Sequence, residues 1–236
     1  MVNLRVRLDT KEQLDNFSLS GSSLHKTLSS LRLINILFGN RRQLSKAILK
    51  YCKQHSYQKT FRIVDLGCGG GDCLMYISKK LNKHGIDASF TGIDANPESI
   101  SIATQKTLKT NNIKFLVQDI LEENFTLPEC DILVSSHFIY HFKDKELISF
   151  LEGLPHQNVK HVILSELYRS KMAYLLFKTV RYLLPITNMA KEDGLIAIRR
   201  AFSQQELETI IHKSGYTSYT ISTKPFFRFT AEINIQ

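Results

Sequence analysis

A short apolar run, Phe61-Arg-Ile-Val-Asp-Leu66, passes directly into Gly67-Cys-Gly-Gly-Gly71, and an amphipathic stretch begins at Asp72. A strand that feeds a glycine-rich turn and then a helix leaves few folds open, because the turn must bring backbone close to something else. The same alternation continues downstream. Apolar runs at 88–94, 113–118, 131–136 and 160–166 are separated by helical patterns near 72–83, 97–109 and 145–153. Strands spaced by helices at this interval form right-handed βαβ units and a parallel sheet. The expected fold is therefore α/β, doubly wound and mostly parallel, with helices on both faces. Asn96-Pro97 starts one helix, and Asp144 is the expected N-cap of the next.

The flanks are read in the same way. Two N-terminal helices are expected. One lies around 22–38, with Leu24, Leu28, Leu31, Asn35 and Phe38 along one side. The other opens on a capping box formed by Asn40 and Gln43 and buries Leu44, Ala47, Ile48 and Tyr51. Residues 1–20 are polar and mixed, and are expected to be poorly ordered or draped over the surface. An insertion at 167–200 holds one helix near 170–184, and Ser203 with Glu206 caps another that ends at Gly215. Two strands, roughly 217–223 and 226–234, turn tightly at Pro225 and pair antiparallel. This divides the chain into a helical lid segment, 1–60, and a main domain, 61–236, with the cap insertion inside it.

Three acids stand at three successive strand ends: Asp65, Asp94 and Asp119. A loop built for phosphate would avoid Asp65, two positions before the first glycine, whereas a ligand carrying an amino group and a positive centre favours it. Asp94 can grip two ribose hydroxyls, and Asp119 can accept an adenine amino group while Ile120 packs on the ring. A dinucleotide site would use Asp94 too, but it lacks the Gly-x-Gly-x-x-Gly register and leaves Asp119 without a role.

The stretch Asp65-Leu-Gly-Cys-Gly-Gly-Gly-Asp72, with Gly92-Ile-Asp94 and Gln118-Asp-Ile120, resembles the sequential motifs of class I S-adenosylmethionine-dependent methyltransferases. The likeness is strong over 61–142 and looser beyond. It implies a seven-stranded sheet with the last strand antiparallel. It also implies S-adenosylmethionine as cofactor, with S-adenosylhomocysteine as product. Asp65, Gly67 and Gly69 then bound the methionine moiety, Asp94 holds the ribose, and Asp119 with Ile120 frames adenine. Cys68, Ala95 and Ser135 complete the expected cofactor-binding set. The gap from Asp65 to Asp94 is longer than typical, which places the extra residues in a loop at Lys83–Ala88.

The acceptor side begins at Ser135-Ser-His-Phe-Ile-Tyr-His-Phe142. It has no Asn/Asp-Pro-Pro-aromatic sequence of the kind that positions an amino group, and no cysteine nucleophile for cytosine carbon. Both absences argue against a nucleic-acid base. His137 or His141 can take a proton from a phenol or enol, or either can position the cofactor or cap the next helix. Tyr140 lines the pocket or packs in the core. Glu166 and Arg169 orient a polar acceptor head or pair with each other, and Arg199 or Arg200 faces the pocket or the solvent. Short stretches at Leu31–Arg42, Leu167–Ser170 and Ile198–Ser203 resemble bacterial small-molecule methyltransferases associated with type III polyketide synthases. The core is similar to that of quinone-biosynthesis methyltransferases. That resemblance implies a hydrophobic phenol, resorcinol, pyrone or quinone precursor, methylated at oxygen rather than carbon. The 22–52 helices and the 170–184 helix would then shut out water.

With 31 Lys+Arg against 22 Asp+Glu, the net charge of +9 keeps an RNA methyltransferase open as the same-class rival. A catalytically silent S-adenosylmethionine-binding module is the rival outside enzymology. The helix at 170–184 has an apolar side that is either a buried cap or a greasy lid touching a membrane surface. The four cysteines show no metal-ligand spacing, no metal site is expected, and reduced thiols suit a cytoplasmic protein. No apolar run is long enough to span a bilayer, and the polar N-terminus does not read as a signal peptide.

Overall fold

The computed structural model describes residues 2–122 and 125–235. Seven strands form one sheet: β1 (Thr60–Leu66), β2 (Asp87–Asp94), β3 (Ile113–Val117), β4 (Ile132–Ser136), β5 (His161–Leu167), β6 (Tyr219–Lys224) and β7 (Arg228–Asn234). Their spatial order is β3-β2-β1-β4-β5-β7-β6. The first five strands pair parallel, and β7 runs antiparallel to both neighbours, as expected. Strand order reverses between β1 and β4, so their carboxyl ends diverge into the crevice where such sheets bind ligands.

Two apolar layers hold helices to the sheet. On one face α2 (Asn40–Gln54), α3 (Asp72–Lys83) and α4 (Pro97–Thr107) bury Leu44, Ile48, Leu74, Ile77 and Ile100 against Ile63, Phe90, Ile132 and Ile163. On the other, α5 (Asp144–Gly153) and α8 (Gln204–Lys213) bury Leu147, Leu151, Leu207 and Ile211 against Leu133, Val162, Phe229 and Ile233. The alternation of facing residues along β7 is what places Phe229, Ala231 and Ile233 in one layer and turns Arg228, Thr230 and Glu232 to the other face. At the amino edge, Asp131 ties the strands together: Arg62 N donates to it at 2.9 Å and Lys160 pairs with it at 2.9 Å.

Several local expectations are corrected. The capping box at Asn40 does not form. Gly39 takes the N-cap position with a left-handed backbone (φ +71°), which releases the Asn40 side chain to bridge Ser136 and Ser165 Oγ. Asp144 is not the N-cap of α5 but its first residue; the preceding Lys143 donates its N–H to Glu146 at 2.7 Å, and Asp144 pairs with Arg7. The insertion contains two helices rather than one, α6 (Lys171–Val180) and α7 (Asn188–Arg200). Pro185 breaks the first run, and Thr187 Oγ1 caps the second by accepting from Ala190 N at 3.2 Å. The buried side of α7 is built partly from small residues, Ala190 and Ala197, which weakens its periodic signal.

Residues 2–20 lie over the carboxyl edge of the sheet as a strap, ahead of α1 (Gly21–Leu37). Leu8 N donates to Arg199 O at 3.0 Å, Gln13 and Leu14 N donate to Asp193, and Asn96 Nδ2 donates to the carbonyls of Phe17 and Leu19. The draped alternative for this segment is the one observed. Among the described residues no helix is long and apolar enough to cross a membrane.

Candidate active site

The strap, α1, α6 and α7 roof a cavity of about 930 Å³ above the ends of β1, β2 and β4, at the upper end of the ~300–1,000 Å³ typical of small-molecule sites. Gly67, Cys68, Gly69, Asp65, Asp94, Ala95, Asp119 and Ile120 all line it, as do His137, Tyr140, His141 and Arg200.

The glycine turn is fixed by its neighbours. Gly67 has φ +67°, and a Cβ there would stand 2.3 Å from the Phe138 ring, so the ring packs directly on the turn. Gly69, with φ +51°, would present a Cβ only to Leu28, at 3.7 Å. Asp94 staples the turn to β2, accepting from Gly69 N at 2.9 Å and Asn96 N at 3.0 Å. Burial raises the Asp94 carboxyl, and these two hydrogen bonds oppose the rise. Asp65 is buried, its Oδ1 has no partner, and burial together with repulsion from Asp94 and Glu166 pushes its carboxyl up to about 8. Asp119 accepts from Leu121 N at 2.9 Å, beside the buried Ile120.

The two histidines differ. His137 has a left-handed backbone (φ +56°), and its Nε2 is buried without a hydrogen-bond partner. Burial, helped by the charge of Arg228, pushes its imidazole well below the ordinary range and keeps it neutral. His141 is part-buried, with Nδ1 3.0 Å from Asp15 Oδ1 of the strap. Asp15 is held from its other oxygen by Arg200 at 2.6 Å. Burial would raise the Asp15 carboxyl, but His141 and Arg200 hold it below its usual range. Tyr140 is buried, and the Arg200 guanidinium stands 5.7 Å from its ring centre.

Three expected site residues stand outside the cavity lining. Ser135 is buried, donating to Glu166 Oε1 at 3.4 Å. The same Glu166 oxygen accepts from Phe138 N at 3.1 Å and Ile139 N at 3.3 Å, which shapes the turn that carries the histidines. Arg169 pairs with Glu206 at 2.6 Å, not with Glu166, and donates to Leu4 O and Ala201 O. Glu166 Oε1 is thus committed to the backbone, while its Oε2 is buried without a partner; Arg169 is committed to Glu206 and the strap, and neither residue lines the cavity.

The sequence reading missed Arg7, Glu12, Asp15 and Arg228, all of which line the cavity. Arg7 donates to the carbonyls of Tyr140, Phe142 and Arg200, and nothing in its sequence neighbourhood announces those partners. Glu12, Asp15 and His141 place one potential metal-ligand atom each within 4.8 Å of one another. Arg200, 2.6 Å from Asp15 and 3.8 Å from Glu12, already sets a cation against both carboxylates.

A model of the methyltransferase-domain family matches residues 57–222. The chain belongs to that family. This methyltransferase-domain chain is 31% identical over 99 residues to a ubiquinone biosynthesis O-methyltransferase of Coxiella burnetii, a match covering 42% of this chain and 40% of the relative. It is 28% identical over 116 residues to ajmaline N-methyltransferase of Rauvolfia serpentina, covering 48% and 38%. The matches span between 3% and 40% of the length of the first curated relatives. Among solved structures, the plantazolicin methyltransferase BpumL, in complex with a triazolic desmethylPZN analog and SAH, superposes with a TM-score of 0.66 at 18% identity. That likeness covers 89% of this chain and 90% of the neighbour. It is a likeness of fold, the Rossmann-like sheet described above.

Proposed function

We propose that this chain transfers the methyl group of S-adenosylmethionine to an oxygen of a hydrophobic small molecule. A phenol, resorcinol, pyrone or quinone precursor fits best, with carbon the less favoured acceptor atom. The observation that carries the reading is one shared cavity. The glycine turn and the three strand-end acids open onto the same space as His137, His141 and an apolar wall that includes Leu31, Phe38, Phe177 and Val180.

The residues suit the cofactor. Asp65 offers a buried oxygen with no partner, the need an ammonium group would meet. Gly69 lines the cavity without a Cβ, and Asp94, Asp119 and Ile120 offer acceptors and a packing surface for a ribosyl adenine. Bound there, S-adenosylmethionine supplies an electrophilic methyl carbon. Such a displacement asks the protein for proximity, orientation and a deprotonated acceptor. The Asp15–His141 contact supports His141 as the base, since a carboxylate on one ring nitrogen orients the other toward a proton donor. The neutral His137 supports a positioning role beside it. The strap and α6 would exclude water, and the exposed Met172, Leu175 and Leu183 near Lys171 and Lys178 support peripheral contact with a membrane that holds such an acceptor.

Calorimetric titration with S-adenosylmethionine and S-adenosylhomocysteine tests the reading before any substrate search. Micromolar binding of both is expected. Asp94→Ala and Asp119→Ala should each weaken it by about 1–3 kcal/mol, the cost of a lost acceptor. A wild-type protein that binds neither ligand, or affinity unchanged in both variants, sinks the proposal. Screening apolar phenols and pyrones by product mass then identifies the acceptor. Strong RNA binding at physiological ionic strength that weakens as salt is added, with methylated RNA as product, would install the nucleic-acid rival that the +9 charge favours.

A further inference from the structure

Arg228 opens β7 at the carboxyl edge of the sheet, opposite Leu167 of β5 and Lys224 of β6, and lines the cavity. It is 2% exposed, yet its Nε and Nη1 have no hydrogen-bond partner. Among the described residues no carboxylate comes within ion-pair distance of it. A guanidinium carries five N–H donors in a planar fork, and a buried cation with that fork unused is costly to keep.

The groups around it do not supply the missing anion. The Cys73 thiol is pushed up to about 12 by burial and stays protonated. Glu166 on β5 is the acid whose charge reaches Arg228, but its Oε1 accepts from Ser135 and from the backbone of Phe138 and Ile139, and its Oε2 is buried without a hydrogen-bond partner, outside ion-pair distance of the guanidinium. His137 is neutral. Burial lowers Arg228 itself to about 10, which leaves it a cation at neutral pH.

The backbone here is also unusual. Four non-glycine residues among those described have a left-handed backbone, and three of them, His137, Phe226 and Phe227, line the cavity with Arg228. Such conformations persist only where surrounding structure enforces them, and they gather at ligand-binding places. The result is one apolar end of the cavity with a planar cation set into it.

We infer that Arg228 is a carboxylate receptor inside the cavity, its fork engaging both oxygens of a bound ligand. This rests on the cavity being the methyl-transfer site. The carboxylate has two possible owners, an aromatic acid serving as acceptor or the methionine tail of the cofactor. A bidentate pair suits either, because a planar fork matches a planar carboxylate.

Two matched pairs of probes separate the owners by calorimetry. One is S-adenosylhomocysteine against its decarboxylated analogue, and the other is 4-pentylbenzoate against 4-pentylbenzamide. The wild-type protein should prefer the carboxylate in one pair by at least about tenfold. Arg228→Met should abolish that preference and leave the other pair unchanged. Arg228→Lys, which keeps the charge without the fork, should retain part of it. Ligand-free Arg228→Met should melt no lower than wild type, since it removes a buried charge that lacks a partner. If Arg228→Met does not fold, Arg228→Lys decides by a preference reduced severalfold. No preference in either pair, or a preference that survives in both variants, overturns the inference. Failure of S-adenosylhomocysteine to bind wild type strikes the cofactor reading instead, and the benzoate pair still judges Arg228.

Discussion

The cavity has two walls that are held in different ways. On the strand-end wall Asp94, Asp119 and the glycine turn are fixed by hydrogen bonds to backbone. Asp94 takes the N–H groups of Gly69 and Asn96, Asp119 takes that of Leu121, and Cys68 N donates to Ile93 O at 3.0 Å. On the strap wall the ties join residues far apart in the chain: Arg7 to Asp144 and to the Tyr140 and Phe142 carbonyls, Asp15 to Arg200 and His141, and Gln13 with Leu14 to Asp193. The first wall rests on the sheet and its two apolar layers. The second rests on a few charges that bridge an edge segment to α5 and α7, so it is the wall of lower local stability. On the function proposed above, the binding surface that must be preorganised sits on the rigid wall, and the wall that would close over an acceptor is the one that opens more cheaply.

Substitutions on each wall should therefore fail differently. The largest effect is expected from Gly67→Ala. Its Cβ would meet Phe138 at 2.3 Å in a left-handed backbone, a combined strain and clash of about 3 kcal/mol. A fall in Tm together with loss of S-adenosylhomocysteine binding is the expected result. Asp15→Asn should come next. It weakens a part-buried pair with Arg200 and the contact to His141, for about 2 kcal/mol of stability after discounting for exposure. With an acceptor in hand, turnover should fall about 100-fold while S-adenosylhomocysteine affinity holds. An Asp15→Asn protein that loses cofactor affinity as severely as Gly67→Ala would show that the walls are one unit.

The same division explains what the sequence discloses. The glycine turn, Asp65, Asp94 and Asp119 are readable because each sits at a strand end, and strand ends follow from local periodicity and turn chemistry. The seven strands and the antiparallel last pair are readable for the same reason. The strap is not readable. Arg7 meets Asp144 across 137 positions and Arg169 meets Leu4 across 165, and no spacing rule links such residues. Helix α7 escapes because Ala190 and Ala197 give its buried side little apolar contrast. Glu166 invites misreading, since an acid at a strand end looks like a ligand group until its oxygen is seen to hold the Phe138–Ile139 turn.

The smallest expected effect is also the most selective. Glu12, on the strap, and Asp65, on the strand-end wall, are both pushed up to about 8. In each case burial dominates, reinforced by Asp15 and Asp193 near Glu12 and by Asp94 and Glu166 near Asp65; Arg200 only partly offsets the rise at Glu12. A raised folded value means that the fold binds the proton more tightly than the unfolded chain does. The stability from each group is therefore whole below the unfolded values of 4.5 and 3.8 and drains as pH climbs to about 8. Asp15 is shifted the opposite way, but its window lies below the unfolded value of 3.8, outside the range of interest. Above about pH 6.5, where the buried neutral His137 no longer opposes the trend, the ligand-free Tm should thus decline to about pH 8.5, and Glu12→Gln and Asp65→Asn should each flatten that decline by about 3 °C. Saturating S-adenosylhomocysteine separates them. If its ammonium reaches Asp65, the strand-end share of the slope disappears and Asp65→Asn has nothing further to remove, while Glu12→Gln still flattens what is left. Equal suppression of both shares would mean that cofactor binding reorganises the strap as well, and the contrast between a fixed wall and a closing one would have to be given up.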